Sequence, residues 1–126
     1  MADINAYSVQ LTLSLLEDST TVMSSPGSEQ TGSVTEAFGG FPSLAAASAS
    51  DVNVKLGTLS DPKVLCIWGE QGISFKIASD GDSIAAYPFA CICDLANGLG
   101  ISEIWVSNGE DSEKSYTIVA FESGGG

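Results

Sequence analysis

The stretch Val64-Leu65-Cys66-Ile67-Trp68-Gly69-Glu70-Gln71-Gly72-Ile73-Ser74-Phe75-Lys76-Ile77 decides the fold. Its first five residues are apolar without interruption, the pattern of a strand buried on both faces or central in a sandwich. Gly69 to Gly72 form a short connection. Ile73, Phe75 and Ile77 then alternate with Ser74 and Lys76, and a period of two lines one face of a strand.

The same rhythm extends in both directions. Upstream, Val52, Val54 and Leu56 alternate with Asn53 and Lys55, and Gly57 to Pro62 read as a turn. Downstream, Asp80-Gly81-Asp82 turns the chain into a second apolar run, Ile84 to Cys93, with Pro88 predicted at a bulge or edge. Asn97 to Gly100 turn it again, Ile104 and Val106 bracket Trp105, and Asn108-Gly109-Glu110-Asp111 carries a hairpin signal. Tyr116 to Phe121 is the last strand. Near the start, Val9, Leu11, Leu13 and Leu15 alternate with Gln10, Thr12 and Ser14, predicting one strand. Glu17 to Thr20 is a polar break and Met23 to Thr31 reads as loop. Val34, Glu36 and Phe38 carry a weaker alternation that Gly39-Gly40 ends, and Phe41 to Ser50 is predicted to be an irregular crossing. No segment reads as a long amphipathic helix. About eight strands, spaced roughly 8–12 residues apart over the second half, predict an all-β fold, an antiparallel β-sandwich or barrel. Eight strands in two sheets is the jelly-roll count, but periodicity does not encode topology. The expected organisation is an N-terminal arm over 1–8, one sandwich domain over 9–122 and a disordered tail over 123–126.

Composition narrows the function. The 126 residues carry 16 acidic and 4 basic side chains, a net charge of −12. Such a surface repels nucleic-acid phosphate and anionic headgroups. Lys55, Lys63, Lys76 and Lys114 are scattered singly, so neither nucleic acid nor membrane is an expected partner. The apolar run from Ile84 to Cys93 is too short to cross ~30 Å of hydrocarbon, and Met1 to Asn5 lack the pattern of a signal peptide, so synthesis in the cytoplasm is expected. Three cysteines are too few for a disulfide framework, and buried free thiols are the expectation for Cys66, Cys91 and Cys93.

Catalysis lacks its usual parts. There is no histidine, the commonest general base. The carboxylates sit in predicted turns, where solvation and backbone capping account for them. Asp80-Gly81-Asp82 and Asn108-Gly109-Glu110-Asp111 offer oxygen ligands, but neither matches the spacing of a 12-residue calcium loop. The expectation is therefore no catalytic residue, no metal and no cofactor. Trp68, at the end of a buried run, is predicted to be core. The apolar surplus on so charged a chain predicts an oligomer, with Ile84, Tyr87, Phe89, Ile104 and Trp105 as the interface candidates.

The succession Leu11-Thr12-Leu13-Ser14-Leu15, Gly32-Ser33-Val34-Thr35, Leu56-Gly57-Thr58-Leu59, Val64-Leu65-Cys66-Ile67-Trp68-Gly69, Ile73-Ser74-Phe75-Lys76-Ile77, Tyr87-Pro88-Phe89, Ile104-Trp105-Val106 and Tyr116-Thr117-Ile118-Val119-Ala120-Phe121 resembles the small jelly-roll-like structural proteins of tailed bacteriophages. The resemblance is one of strand rhythm from residue 9 onward. It implies an antiparallel, jelly-roll-like β-sandwich that serves as a head decoration, cement or minor virion protein with no catalytic residues, located on the virion. The implied partners are the major capsid protein or another virion protein, and further copies of the chain as a dimer or trimer. A small β-sandwich that binds carbohydrate or another ligand, with Trp105 or Tyr87 as platform, is the alternative.

Overall fold

The computed structural model describes residues 6–10, 12–26 and 30–122. The expected tail, residues 1–5 of the expected arm, Leu11 and residues 27–29 of the expected loop lie outside the described residues. Among the described residues the chain forms strands and no helix. In order they are β1 (Ala6–Val9), β2 (Thr12–Glu17), β3 (Thr20–Pro26), β4 (Gln30–Ser33), β5 (Glu36–Ala45), β6 (Val52–Lys55), β7 (Val64–Gly69), β8 (Ile73–Lys76), β9 (Ile84–Ala85), β10 (Phe89–Cys93), β11 (Glu103–Asn108) and β12 (Lys114–Glu122).

Strands β5 to β12 make two four-stranded antiparallel sheets, ordered β10-β7-β12-β5 and β6-β11-β8-β9. The pairings β5–β12, β6–β11, β7–β10 and β8–β9 are nested, each inside the last. The eight strands are thus one long hairpin, doubled back at β8–β9, whose successive rungs fall alternately in the two sheets. That is the jelly-roll topology; of the two architectures expected from the strand rhythm the chain forms the antiparallel sandwich. Two ribbons, β1–β4 and β2–β3, precede it.

Period two explains the core. Leu65 and Ile67 of β7, Tyr116, Ile118 and Ala120 of β12, Ile73 and Phe75 of β8, and Ile104 and Val106 of β11 all face inward and are buried together. Ile92, Ala90 and Ile84 pack against them at the edge. Burying each such side chain stabilises the fold by roughly 1.5–3 kcal/mol before entropy is counted. At one end the sheets are tied by Asn108, 1% exposed. Its Nδ2 donates to the carbonyls of Ala45, Ala46 and Ser112 at 3.2, 3.1 and 2.9 Å, and its Oδ1 accepts from the Glu110 amide at 2.9 Å.

Several sequence expectations need correction. The alternation from Val9 to Leu15 spans two strands, β1 and β2, not one. Met23 to Pro26 belongs to β3, which pairs with β2 across a two-residue turn at Asp18 and Ser19, both at positive φ. Two central residues at positive φ give the twist that a tight hairpin needs, here without glycine. Strand β5 does not end at Gly39-Gly40, and Phe41 to Ala45 continue it. The glycines form a bulge against Ile118 instead, and Gly39 sits at φ 98° with its α-carbon against β12. A Cβ there would lie 1.8 Å from the Ile118 carbonyl oxygen. The run Ile84 to Cys93 is two strands in different sheets, β9 and β10, joined through Tyr87-Pro88, whose peptide bond is cis. Asn108-Gly109 does not turn a hairpin. It leads from β11 in one sheet to β12 in the other, because the Asn108 side chain is held inside and the Gly109 amide donates to Gly72 O at 3.0 Å.

Candidate functional site

The outer faces of the two sheets differ in chemistry, and the difference follows from register. On the β6-β11-β8-β9 sheet the outward positions are polar apart from Trp105 and Ala85. Glu103 pairs with Lys55, and Trp105 sits between Asn53 and Lys76. Lys76 Nζ lies 3.2 Å from Asp51, which also accepts the Ser107 hydroxyl at 3.2 Å. Hydrogen bonds from Lys55, and then from Asn53, hold the Glu103 carboxyl below the usual carboxylate range. This is a solvent face in which charges satisfy one another.

The β10-β7-β12-β5 sheet is the opposite. Its cross-strand registers place Phe89, Trp68, Thr117 and Pro42 in one outward row. Cys91, Cys66, Val119 and Gly39 form the next row, and Cys93, Val64, Phe121 and Ala37 the third. None of the twelve is charged. The third row is covered from within the chain: Val64 and Phe121 are buried with Val34 under Tyr7, Val9 and Leu95. The Tyr7 and Phe121 rings lie 4.7 Å apart, and Tyr7 also lies across Gly32, where a Cβ would meet its ring at 2.7 Å. The ribbon β1–β4 thus acts as a lid on that end of the sheet. The first two rows stay open, with Trp68 46%, Phe89 49% and Val119 36% exposed. A groove of about 340 Å³ runs beside the lid, lined by Val9, Gln10, Val64, Cys66, Phe89, Ala90, Cys91 and Cys93.

A disulfide joins Cys66 to Cys91 in this face, leaving Cys93 free and exposed. This corrects the expectation of three buried thiols. The jelly-roll pairing of β7 with β10 sets Cys66 opposite Cys91, with α-carbons 4.1 Å apart. That pairing lies beyond what Cys spacing encodes.

The interface candidates do not form one patch. Tyr87 and Phe89 are exposed at and beside the open face, and Ile84 is half-buried against the core in β9. Trp105 is half-buried on the polar sheet. Ile104 is 0% exposed and belongs to the core, because its parity is that of Val106, so it offers nothing to a partner. Trp68, expected in the core, is outside. The parity of Leu65 and Ile67, both inward, places Cys66 and Trp68 outward, and a run that is apolar at every position does not say which parity faces the core.

A second concavity lies where the edge strands β5 and β6 meet. It holds about 340 Å³ and is lined by Ala37, Phe38, Gly39, Phe41, Ser43, Val54 and Ile118, with Phe41 81% exposed at its mouth. Carboxylates elsewhere serve the backbone. Glu122 accepts from the Ser60 and Asp61 amides, Asp61 from the Gly100 amide, and Glu70 from the Ser115 amide and hydroxyl. The Ser115 hydrogen bonds hold the Glu70 carboxyl below its usual range. Among the described residues no group of three or more metal-ligating side chains comes together. No known protein family, curated protein or solved structure matches the chain.

Proposed function

We propose that the chain is a non-enzymatic virion component of a tailed bacteriophage. It decorates or cements the capsid by laying the open face of the β10-β7-β12-β5 sheet on the major capsid protein. The observation that carries this reading is the inequality of the two faces. One is polar and internally ion-paired; the other exposes Trp68, Phe89 and Val119 around a disulfide. An uncharged sheet face on a chain of net charge −12 is expensive to leave in water and is the place for a protein partner. The nested topology supports the same reading, since jelly rolls recur in viral capsid proteins. They also build lectins and cupins, so topology alone does not select the role. The carboxylates bonded to backbone amides and the lack of histidine favour binding over catalysis.

The test is co-sedimentation of the purified chain with capsids of the encoding phage. Wild type should sediment with the particles and Trp68→Asp should not, while Ser74→Asp on the polar face should behave as wild type. Loss of binding in Ser74→Asp but not in Trp68→Asp would overturn the assignment. A ligand- or carbohydrate-binding module is the second reading, favoured by the β5–β6 cleft with Phe38, Phe41 and Ser43. Saturable glycan binding that is lost in Phe41→Ala, without capsid binding, would select it.

A further inference from the structure

The four edges of the sandwich are not equally protected. An edge strand presents unpaired N–H and C=O groups, which proteins blunt with charge, proline, bulges or brevity. Strand β5 carries the Gly39-Gly40 bulge and Pro42. Strand β6 has four residues, ends on Lys55 and is flanked by Asp51. Strand β9 has two residues. Strand β10, Phe89-Ala90-Cys91-Ile92-Cys93, has five, with no charge, no bulge and no internal proline.

Its hydrogen-bonding phase is fixed by geometry. The Cys91 and Cys66 α-carbons are 4.1 Å apart, the spacing of a non-hydrogen-bonded antiparallel pair. The Asp94 amide donates to Lys63 O at 2.9 Å, which puts even-numbered residues in the bonded phase. Ala90 and Ile92 therefore pair with β7, and the N–H and C=O groups of Phe89, Cys91 and Cys93 point to the side of β10 on which no strand pairs among the described residues.

We infer that β10 is the site at which a second copy of this chain adds by antiparallel strand pairing. The register is self-complementary: Cys91 lies opposite Cys91 of the second copy on the two-fold axis, and Phe89 lies opposite Cys93 on either side. Positions 89, 91 and 93 are symmetric about 91, so all their outward groups are satisfied together. Charge selects the same occupant. No charged residue occurs from Ile84 to Cys93, so two chains of net charge −12 meet here without opposing carboxylates across the seam. The two β10-β7-β12-β5 sheets become one eight-stranded sheet, and their open apolar rows become continuous.

Amide hydrogen exchange on the full chain, with sedimentation velocity over a concentration series at physiological salt, tests this. As a species of twice the 12.9 kDa chain mass appears, the amides of Phe89, Cys91 and Cys93 should slow at least tenfold. Those of Ala90 and Ile92 should be slow at every concentration. Cys93→Pro removes an outward donor at a position an edge strand tolerates, and should leave a folded monomer. A chain monomeric at millimolar concentration, or a dimer whose Cys91 and Cys93 amides exchange as fast as in the monomer, overturns the inference. The inference stands apart from the capsid reading: a monomer that still co-sediments with capsids overturns this pairing alone.

Discussion

Replacing Asn108 by Asp changes one atom and should unfasten one end of the sandwich. The substitution keeps the shape and the Oδ1 acceptor for the Glu110 amide. It replaces an NH2 group, whose two hydrogens are shared among three carbonyls, by an oxygen facing those same carbonyls at 2.9–3.2 Å. Three hydrogen bonds at about 1 kcal/mol each are lost. A buried carboxylate surrounded by carbonyl oxygens adds to that, so the deficit at pH 7 should reach about 4 kcal/mol. Burial raises the folded pKa of the new carboxyl above its unfolded value near 4. The charge-dependent part of the deficit is therefore absent below about pH 4, grows as pH rises through the folded value, and is complete above it. Urea unfolding followed by tryptophan fluorescence, with variant and wild type compared at each pH, measures this. Asn97→Asp, on an exposed turn, should lie within about 0.5 kcal/mol of wild type. A deficit for Asn108→Asp under 1 kcal/mol at pH 7, or one unchanged at pH 4, would refute the reasoning.

Gly39→Ala should cost about 3 kcal/mol or more in urea unfolding, since the new methyl meets Ile118 O at 1.8 Å; Gly40→Ala, open on all sides, should cost only about 1–2 kcal/mol of backbone strain. Reducing the Cys66–Cys91 bond, with a sequence separation of 25, should lower stability by about 3 kcal/mol. A thiol reagent should titrate one fast thiol, Cys93, in the native chain and three after reduction and denaturation. Burial pushes the Tyr116 hydroxyl up from its ordinary value, against a smaller opposing effect of its hydrogen bond with Ser43. Stability is therefore full below about pH 10 and falls as pH rises through the folded value. Tyr116→Phe should cost about 1 kcal/mol at pH 7 and flatten that alkaline fall in thermal melts.

The fold was legible because period two and turn spacing are local properties. Ile73-Ser74-Phe75-Lys76-Ile77 and Tyr116 to Phe121 show strands whatever they pair with. What stayed hidden needed partners distant in sequence. Cys66 and Cys91 meet only once β7 and β10 pair, and Ile104 is core because the face of β11 that it shares with Val106 is covered by the opposite sheet. The run Val64 to Trp68 reads as apolar on both faces, which is true; but Val64 is covered by Tyr7 and Val9 of β1, far earlier in the chain, and Trp68 by nothing in the described chain. Glycine misled at Gly39-Gly40, where a bulge carries the strand onward instead of ending it. The site was half legible. Tyr87 and Phe89, named through their apolar run, are exposed, while the inequality of the two sheet faces appears only when rows are assembled across strands.

The two tryptophans report on the two faces, Trp68 on the open apolar sheet and Trp105 on the polar one. Hydroxyl-radical footprinting of the free chain and of the chain on its particle, read by mass spectrometry, tests the central claim most directly. Oxidation of Trp68 and Phe89 should fall several-fold on assembly while that of Trp105 stays unchanged. Protection of Trp105 with Trp68 still oxidised at its free rate would contradict the account.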